Sequence, residues 1–319
     1  MNIYDVAKLS GVSIATVSRV INNSPKVSRK TAEKVREVIA RGGYVPNAFA
    51  RGLGLNTMRM VGVLCTDVTD PFYAKAVGTV ESLLRQANKD TVLCCTGNSL
   101  SGKKKALEEI VRRKVDAVVL IGSAFKEEKD NSHIRAAAAK LPVVIVNGLI
   151  ELDNVYCVVC AEKDATKDLA SKLAASGCRA PLYLRGAATY SGNQKLEGFT
   201  EGFGDIPLRV LQVTGDVLAC AEAVKEEYKK SPFDCVAASE DVFAAGALRA
   251  LSELGVSLPV TGFNNSVICE CTQPTLTSVD NMLESMCRSA VRLLCDLDEG
   301  GDPPRRTVLS ARLVRRQSF

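Results

Sequence analysis

The chain has 319 residues, 46% of them hydrophobic, 24% charged and 5% aromatic, which is long enough for more than one domain and for sizeable buried cores. No run approaches the ~18 consecutive apolar residues of a transmembrane helix. The N-terminus lacks the basic and apolar regions of a signal peptide, so a cytoplasmic location and no membrane partner are expected. The formal net charge is +5, and it is unevenly placed: residues 1–56 hold nine Lys/Arg against three Asp/Glu, a net of +6, leaving −1 for the remainder. Basic charge confined to one small module is the footprint of nucleic-acid binding.

The chain opens on Ile3-Tyr-Asp-Val-Ala-Lys-Leu-Ser-Gly-Val-Ser-Ile-Ala-Thr-Val-Ser-Arg-Val-Ile-Asn-Asn23. Apolar residues recur at helical spacing in both halves, at Ile3, Val6 and Ala7 and again at Val17, Val20 and Ile21. Gly11 stands where one helix must end and the chain reverse, and Ser13 follows as an N-cap. Two short helices joined by a tight turn form a helix-turn-helix, whose second helix enters the DNA major groove. Its outward positions are Ile14, Ala15, Ser18, Arg19 and Asn22, small, polar or cationic residues suited to base edges and phosphates. Ser24-Pro25 then breaks the chain. Ser28 caps a third helix with Ala32, Val35, Val38 and Ile39 as its buried stripe, and Gly42-Gly43 ends it.

Next comes Tyr44-Val-Pro-Asn-Ala-Phe-Ala-Arg-Gly-Leu-Gly-Leu-Asn56. Pro46 can open a helix and Ala48 to Leu53 could form one, but Gly52 and Gly54 each weaken it by roughly 1 kcal/mol relative to Ala. A segment so short is unstable alone. It reads either as a plain linker or as a hinge that becomes helical only when docked.

From Met58 apolar strand runs alternate with helical segments. Strand runs include 60–65, 91–96, 117–122, 143–146, 182–184, 210–213, 235–238 and 260–263; helices include 74–87, 104–113, 164–175, 217–229 and 242–254. Regular β-α alternation implies parallel sheets with helices on both faces. About 260 residues exceed one comfortable sheet, so two similar halves are expected, with ligand bound at the carboxyl ends of strands. The loop residues at those ends are Asp67, Asp70, Ser123, Asn147, Ser191, Lys195, Glu240, Asp241, Asn264 and Asn281. Asp70 and Asp241 are each equally suited to capping the helix that follows.

Other chemistries find little support. Of the twelve cysteines, Cys65, Cys94, Cys95, Cys157, Cys160 and Cys235 lie in apolar strand-like runs, where a buried Cys behaves as a small hydrophobe. Cys157-x-x-Cys160 and Cys269-x-Cys271 have metal-like spacing, but no second CxxC lies at zinc-finger distance and the chain has one histidine, His133. No metal site is expected, and His133, in a polar segment, reads as solvated. With no nucleophile motif around His133, no GxxxxGK[ST] loop and no strand-placed GxGxxG, neither catalysis nor a cofactor is expected.

The N-terminal motif closely resembles the lactose/galactose repressor (LacI/GalR) family of bacterial transcription regulators. The matching residues are Tyr4-Asp-Val-Ala7, Gly11-Val-Ser13 and Ala15-Thr-Val-Ser-Arg-Val-Ile-Asn22. Further tags run to the end: Asp70-Pro-Phe-Tyr73, Lys195-Leu-Glu-Gly-Phe199 opening a helix, Glu240-Asp-Val-Phe-Ala-Ala-Gly-Ala247, Gly262-Phe-Asn-Asn265, Pro274-Thr-Leu-Thr-Ser-Val279 and Leu313-Val-Arg-Arg-Gln-Ser318. The resemblance implies an α/β chain: a three-helix headpiece over 1–45, a hinge over 46–57, and a two-lobed periplasmic-binding-protein-like core over 58–319. The N-lobe is expected at about 58–157 and 279–309 and the C-lobe at about 158–278 and 310–319, with crossings near Val158, Ser278 and Ser310.

It also implies a homodimer on a near-palindromic double-stranded operator. Arg19 would read guanine, and Ile14 and Ala15 would give apolar base contact. Tyr4, Ser13, Thr16, Ser18, Asn22, Ser28, Thr31 and Asn47 would fix phosphates. Ala50 and Leu53 of the hinge would meet the minor groove, with Leu53 as the wedge that unstacks a base step. The implied effector is a small molecule, most often a sugar, with Phe72 or Tyr73 supplying an aromatic face. Three positions depart from the family: Lys195 stands where Arg is common, Asn264 where Asp is common, and Asn147 near a common acid. Lysine lacks the planar fork of arginine and asparagine carries no charge, so no single relative's effector transfers. Three alternative readings are a global catabolite regulator with a phosphorylated carrier protein as corepressor, a pure sugar-binding protein, against which the headpiece and the lack of a signal-peptide pattern argue, and a constitutive DNA-binding protein with an inert core.

Overall fold

The computed structural model describes residues 1–21, 24–44 and 58–319. Three helices form the N-terminal unit. α1 (Ile3–Ser10) is opened by a capping box in which Asn2 accepts from the Tyr4 and Asp5 amides while the Asp5 carboxylate accepts from the Asn2 amide at 2.8 Å. Gly11, at φ 64°, ends it in a left-handed conformation that a side chain would strain. Ser13 accepts from the Thr16 amide at 3.2 Å at the head of α2 (Ile14–Ile21), and Ser28 caps α3 (Arg29–Gly42) through the Thr31 amide. Val6, Ala7, Val17, Val20 and Val35 bury together as the small core of this unit.

The second unit holds two sheets. The first-lobe elements are β1 (Met60–Cys65), α4 (Pro71–Gln86), β2 (Asp90–Cys95), α5 (Leu100–Arg112), β3 (Ala117–Ile121), α6 (Ser132–Ala138), β4 (Val143–Val146) and β5 (Val155–Cys160). The second lobe follows with α7 (Glu162–Ala175), β6 (Pro181–Arg185), α8 (Tyr190–Phe203), β7 (Arg209–Gln212), α9 (Val217–Lys230) and β8 (Cys235–Ala238). It continues through α10 (Asp241–Leu254), β9 (Val260–Phe263), α11 (Ile268–Cys271) and β10 (Thr277–Asp280). The chain closes with α12 (Leu283–Asp298), β11 (Arg306–Leu309) and β12 (Arg312–Val314). The sheets run in the order β11-β5-β4-β3-β1-β2 and β12-β10-β9-β8-β6-β7. Their orders correspond strand for strand, as two similar halves require. The inner pairs are parallel, for example Val61 beside Ala117 and Val236 beside Val260, while β12 runs antiparallel to β10.

Strand burial explains the apolar runs. β3, β4 and β5 are buried along their whole length, as strands covered on both faces must be. α12 returns to the first lobe, where Met286, Cys287, Ala290 and Leu294 pack with Val61, Val63 and Val119. β5 runs in the first sheet to Cys160 and β10 in the second to Asp280. The chain therefore changes lobes at Ala161, at Asn281-Met282 and at Ser310-Ala311, the first two a few residues after the positions read from sequence.

Three local readings are corrected. The tag at Lys195 does not open a helix: α8 begins at Tyr190, capped by Thr189, so Lys195 lies in its second turn and faces inward. His133 is not solvated but 5% exposed, because the ring folds under α6 and its Nε2 meets the Phe125 carbonyl at 3.0 Å. Cys95, at the exposed end of an edge strand, is no buried hydrophobe, and Cys94 is only half-buried. Asn22, Asn47, Ala50 and Leu53, with the hinge read over 46–57, lie outside the described residues.

Candidate functional site

A cavity of about 270 Å³ opens between the two lobes at the carboxyl ends of their strands. The first lobe lines it with the turn after β1 (Thr66, Asp67, Asp70), the start of α4 (Phe72, Tyr73), Asn98, the turn after β3 (Gly122, Ser123, Ala124) and Asn147 after β4. The second lobe contributes the turn into α8 (Ala187, Thr189, Ser191, Gly192), Lys195, the turn after β8 (Ser239, Glu240) and Asn264 after β9. Two of its contacts cross between lobes: Ser123 Oγ donates to Thr189 Oγ1 at 2.9 Å, and Asn147 Nδ2 donates to Glu162 Oε1 at 3.3 Å.

Local sequence sets these side chains. Asp70 caps α4, its Oδ1 accepting from the Phe72 amide at 2.8 Å, and Pro71 supplies the fixed φ that opens the helix. That first turn sets the Phe72 and Tyr73 rings edge to face, 5.2 Å between centroids. Burial pushes the Tyr73 phenol up to about 12, so it stays protonated and able to donate. Gly122 is required opposite it: φ is 102°, and a Cβ there would stand 2.7 Å from the Tyr73 hydroxyl. Asn147 and Asn264 also turn at positive φ, 60° and 102°, a conformation that Asn tolerates better than most residues.

The charged groups are held differently in the two walls. Lys195 is 5% exposed, donates to the Ser239 carbonyl at 3.0 Å and lies 4.0 Å from the centroid of the Phe263 ring. A buried ammonium needs such partners, and the ring face supplies negative potential. Glu240 stands at the N-cap of α10 without capping it. Burial, followed by the neighbouring carboxylates of Asp70 and Asp241, holds its pKa above the usual carboxylate range, against the opposing pull of Lys195.

Of the residues read from sequence, Asp67, Asp70, Phe72, Tyr73, Ser123, Asn147, Ser191, Lys195, Glu240 and Asn264 meet at the cavity. Asp241 and Asn281 do not line it. Asp241 turns inward to accept from Ser278 Oγ at 2.6 Å and the Ser266 amide at 2.7 Å, tying α10 to β10. Asn281 is fully buried behind the wall, where its Nδ2 donates to Asn264 Oδ1 at 2.9 Å and so orients that side chain. The sequence reading missed Thr66, Asn98, Thr189 and Ser239; each follows a strand end by one to four residues, and that placement was the available signal.

On the helix-turn-helix, Tyr4, Ser13, Ile14, Ala15, Arg19 and Ser28 are exposed, and Thr16, Ser18 and Thr31 partly so. Tyr4 is 68% exposed and Ile14 40%. Ser13 Oγ and Thr16 Oγ1 lie 2.9 Å apart, as do Ser28 Oγ and Thr31 Oγ1, so each helix start presents a hydroxyl pair beside free amides.

This combination defines a class: a helix-turn-helix module joined to a two-lobed ligand-binding core. Residues 2–47 match the family described as "Bacterial regulatory proteins, lacI family", and residues 170–319 match the "Periplasmic binding protein-like domain". The chain is 40% identical to an "HTH-type transcriptional regulator" of Lachnoclostridium phytofermentans, over all of this chain and 99% of that one. It shares its fold with the Lac repressor dimer bound to operator and the anti-inducer ONPF, at a TM-score of 0.88 and 22% identity, over 100% of this chain and 98% of that one. The transcriptional regulator CelR in complex with cellobiose superposes at 0.72, with 27% identity and full coverage of both chains. The chain belongs to the lacI family of bacterial regulatory proteins and is a DNA-binding transcriptional regulator.

Proposed function

We propose that the chain is a repressor controlled by a sugar that binds in the interlobe cleft. The observation that carries this reading is the cavity itself: amides from both lobes, Ser/Thr hydroxyls at five positions and a pair of aromatic rings converge on a space of monosaccharide size. Sugar recognition needs that pairing of bidentate polar groups with an apolar face. Binding would draw together loops from the two lobes, shift their relative position and so alter DNA affinity. CelR, whose structure is a complex with cellobiose, supports a saccharide.

On DNA, the reading is a homodimer in the cytoplasm that places α2 of each copy in one half-site of a near-palindrome. Arg19 donates to guanine O6 and N7, Ile14 and Ala15 touch base edges, and Tyr4, Ser13, Thr16, Ser18, Ser28 and Thr31 hold phosphates. The test is operator binding at fixed salt with and without a sugar panel. A sugar that binds by calorimetry and weakens operator affinity supports the reading. A panel in which none binds sinks the sugar, and one that strengthens operator affinity reverses the sign.

A further inference from the structure

The charge of the cleft is lopsided. Three carboxylates line it, Asp67, Asp70 and Glu240, against one ammonium, Lys195. That ammonium is already committed to the Ser239 carbonyl and the Phe263 ring. Asp67 is exposed and accepts from the Thr69 amide and hydroxyl, which satisfy it where it stands. Asp70 has one oxygen on the Phe72 amide. Glu240 neither caps its helix nor draws stabilisation from a hydrogen bond; the Lys195 charge offsets part of its burial, and Asp70, on the opposite wall, adds to its burden.

A carboxylate withdrawn from water without a hydrogen-bonded partner is expensive, and it becomes more so when a ligand expels the remaining water. A neutral sugar can donate hydroxyl protons to Glu240 but leaves the negative excess in place. An anionic sugar adds to it. An ammonium on the ligand offsets it and gives the two walls a common partner.

We infer that the effector is an amine-bearing sugar, its ammonium held between Asp70 of the first lobe and Glu240 of the second. This rests on the cleft being the sugar site proposed above. The attraction to both walls makes closure depend on the cation, so amine recognition and the conformational signal are one event.

Calorimetry on the full chain tests it with glucosamine, galactosamine, mannosamine and the disaccharide of glucosamine. Each is compared with the neutral sugar carrying hydroxyl in place of amine, and each monosaccharide also with the corresponding neutral sugar's 6-phosphate. At least one amino sugar is expected to bind ten-fold or more tighter than its neutral counterpart, with the phosphate weakest. Glu240→Gln should cut that preference to within three-fold, and Asp70→Asn, read in parallel, should weaken it too. Equal or tighter binding of the neutral sugar, or best binding of the phosphate, overturns the amine while leaving the sugar site standing. Binding of no saccharide overturns both.

Discussion

The helix-turn-helix face and the cleft handle polar groups in opposite ways. The face leaves Tyr4, Ile14, Ala15 and Arg19 in solvent, on a module whose core, among the described residues, holds five buried hydrophobic side chains. The cleft withdraws Lys195, Asn147 and Ser191 from solvent and bonds several of its groups to one another before any ligand arrives. The face can therefore change without much effect on folding, whereas almost any change in the cleft alters stability and recognition together.

The largest test of that contrast is Gly122→Ala. A side chain at φ 102° that also meets the Tyr73 hydroxyl at 2.7 Å should cost about 3 kcal/mol, lowering the core transition by roughly 6–12 °C in a domain this large. Calorimetric melting checks it, and an unchanged Tm would mean the ring moves aside freely. Val17→Ala comes next. Removing two buried methyl groups should cost the small headpiece about 1–2 kcal/mol and weaken operator binding on warming. The core melt should stay in place; a shift in both transitions would break the distinction between the two units.

Arg19→Ala is expected to reduce specific operator affinity about ten-fold or more, since a bidentate guanine contact is worth roughly 1–3 kcal/mol. The Tm should not move. Specific affinity within a factor of two of the parent, by electrophoretic shift at fixed salt, removes Arg19 from base readout.

The smallest effect is a gain. Glu240 is held above the ordinary carboxylate range by burial. A raised carboxyl favours the native state fully below its unfolded pKa of about 4.3, and that stability is lost as pH rises through the folded pKa. At pH 7 the buried charge is a cost, so Glu240→Gln should raise the Tm of the ligand-free protein slightly. The gain should shrink as pH falls toward the unfolded value. A Tm that falls at pH 7 would mean that Glu240 is better solvated than its setting indicates.

Much of the architecture was legible because it rests on local rules. Gly11, Ser13, Ser28 and Gly43 punctuate the headpiece where turn and capping chemistry says they should. The strand runs at 60–65, 143–146, 235–238 and 260–263 coincide with β1, β4, β8 and β9, since a strand buried on both faces must be continuously apolar. Asp70 resolved as both cap and wall, since its two oxygens allow both. Glu240 and Asp241 mark the limit. They are adjacent, both acidic and both at a strand end, yet one faces the cleft and the other ties α10 to β10. His133 likewise sits in a polar stretch, and only packing beneath α6 buries it.

The sequence by itself determined the headpiece, its basic charge, the alternation of strands and helices and the segments that end near the ligand. Those follow from spacing and from residue chemistry that acts within a few positions of the chain. The tertiary structure alone decided that Lys195 is anchored to a carbonyl and a ring, that Asn281 works from behind the wall, and that Asp70 faces Glu240 from the other lobe. Those facts depend on the direction a side chain takes and on which distant strand end it meets, and one sequence carries no record of either.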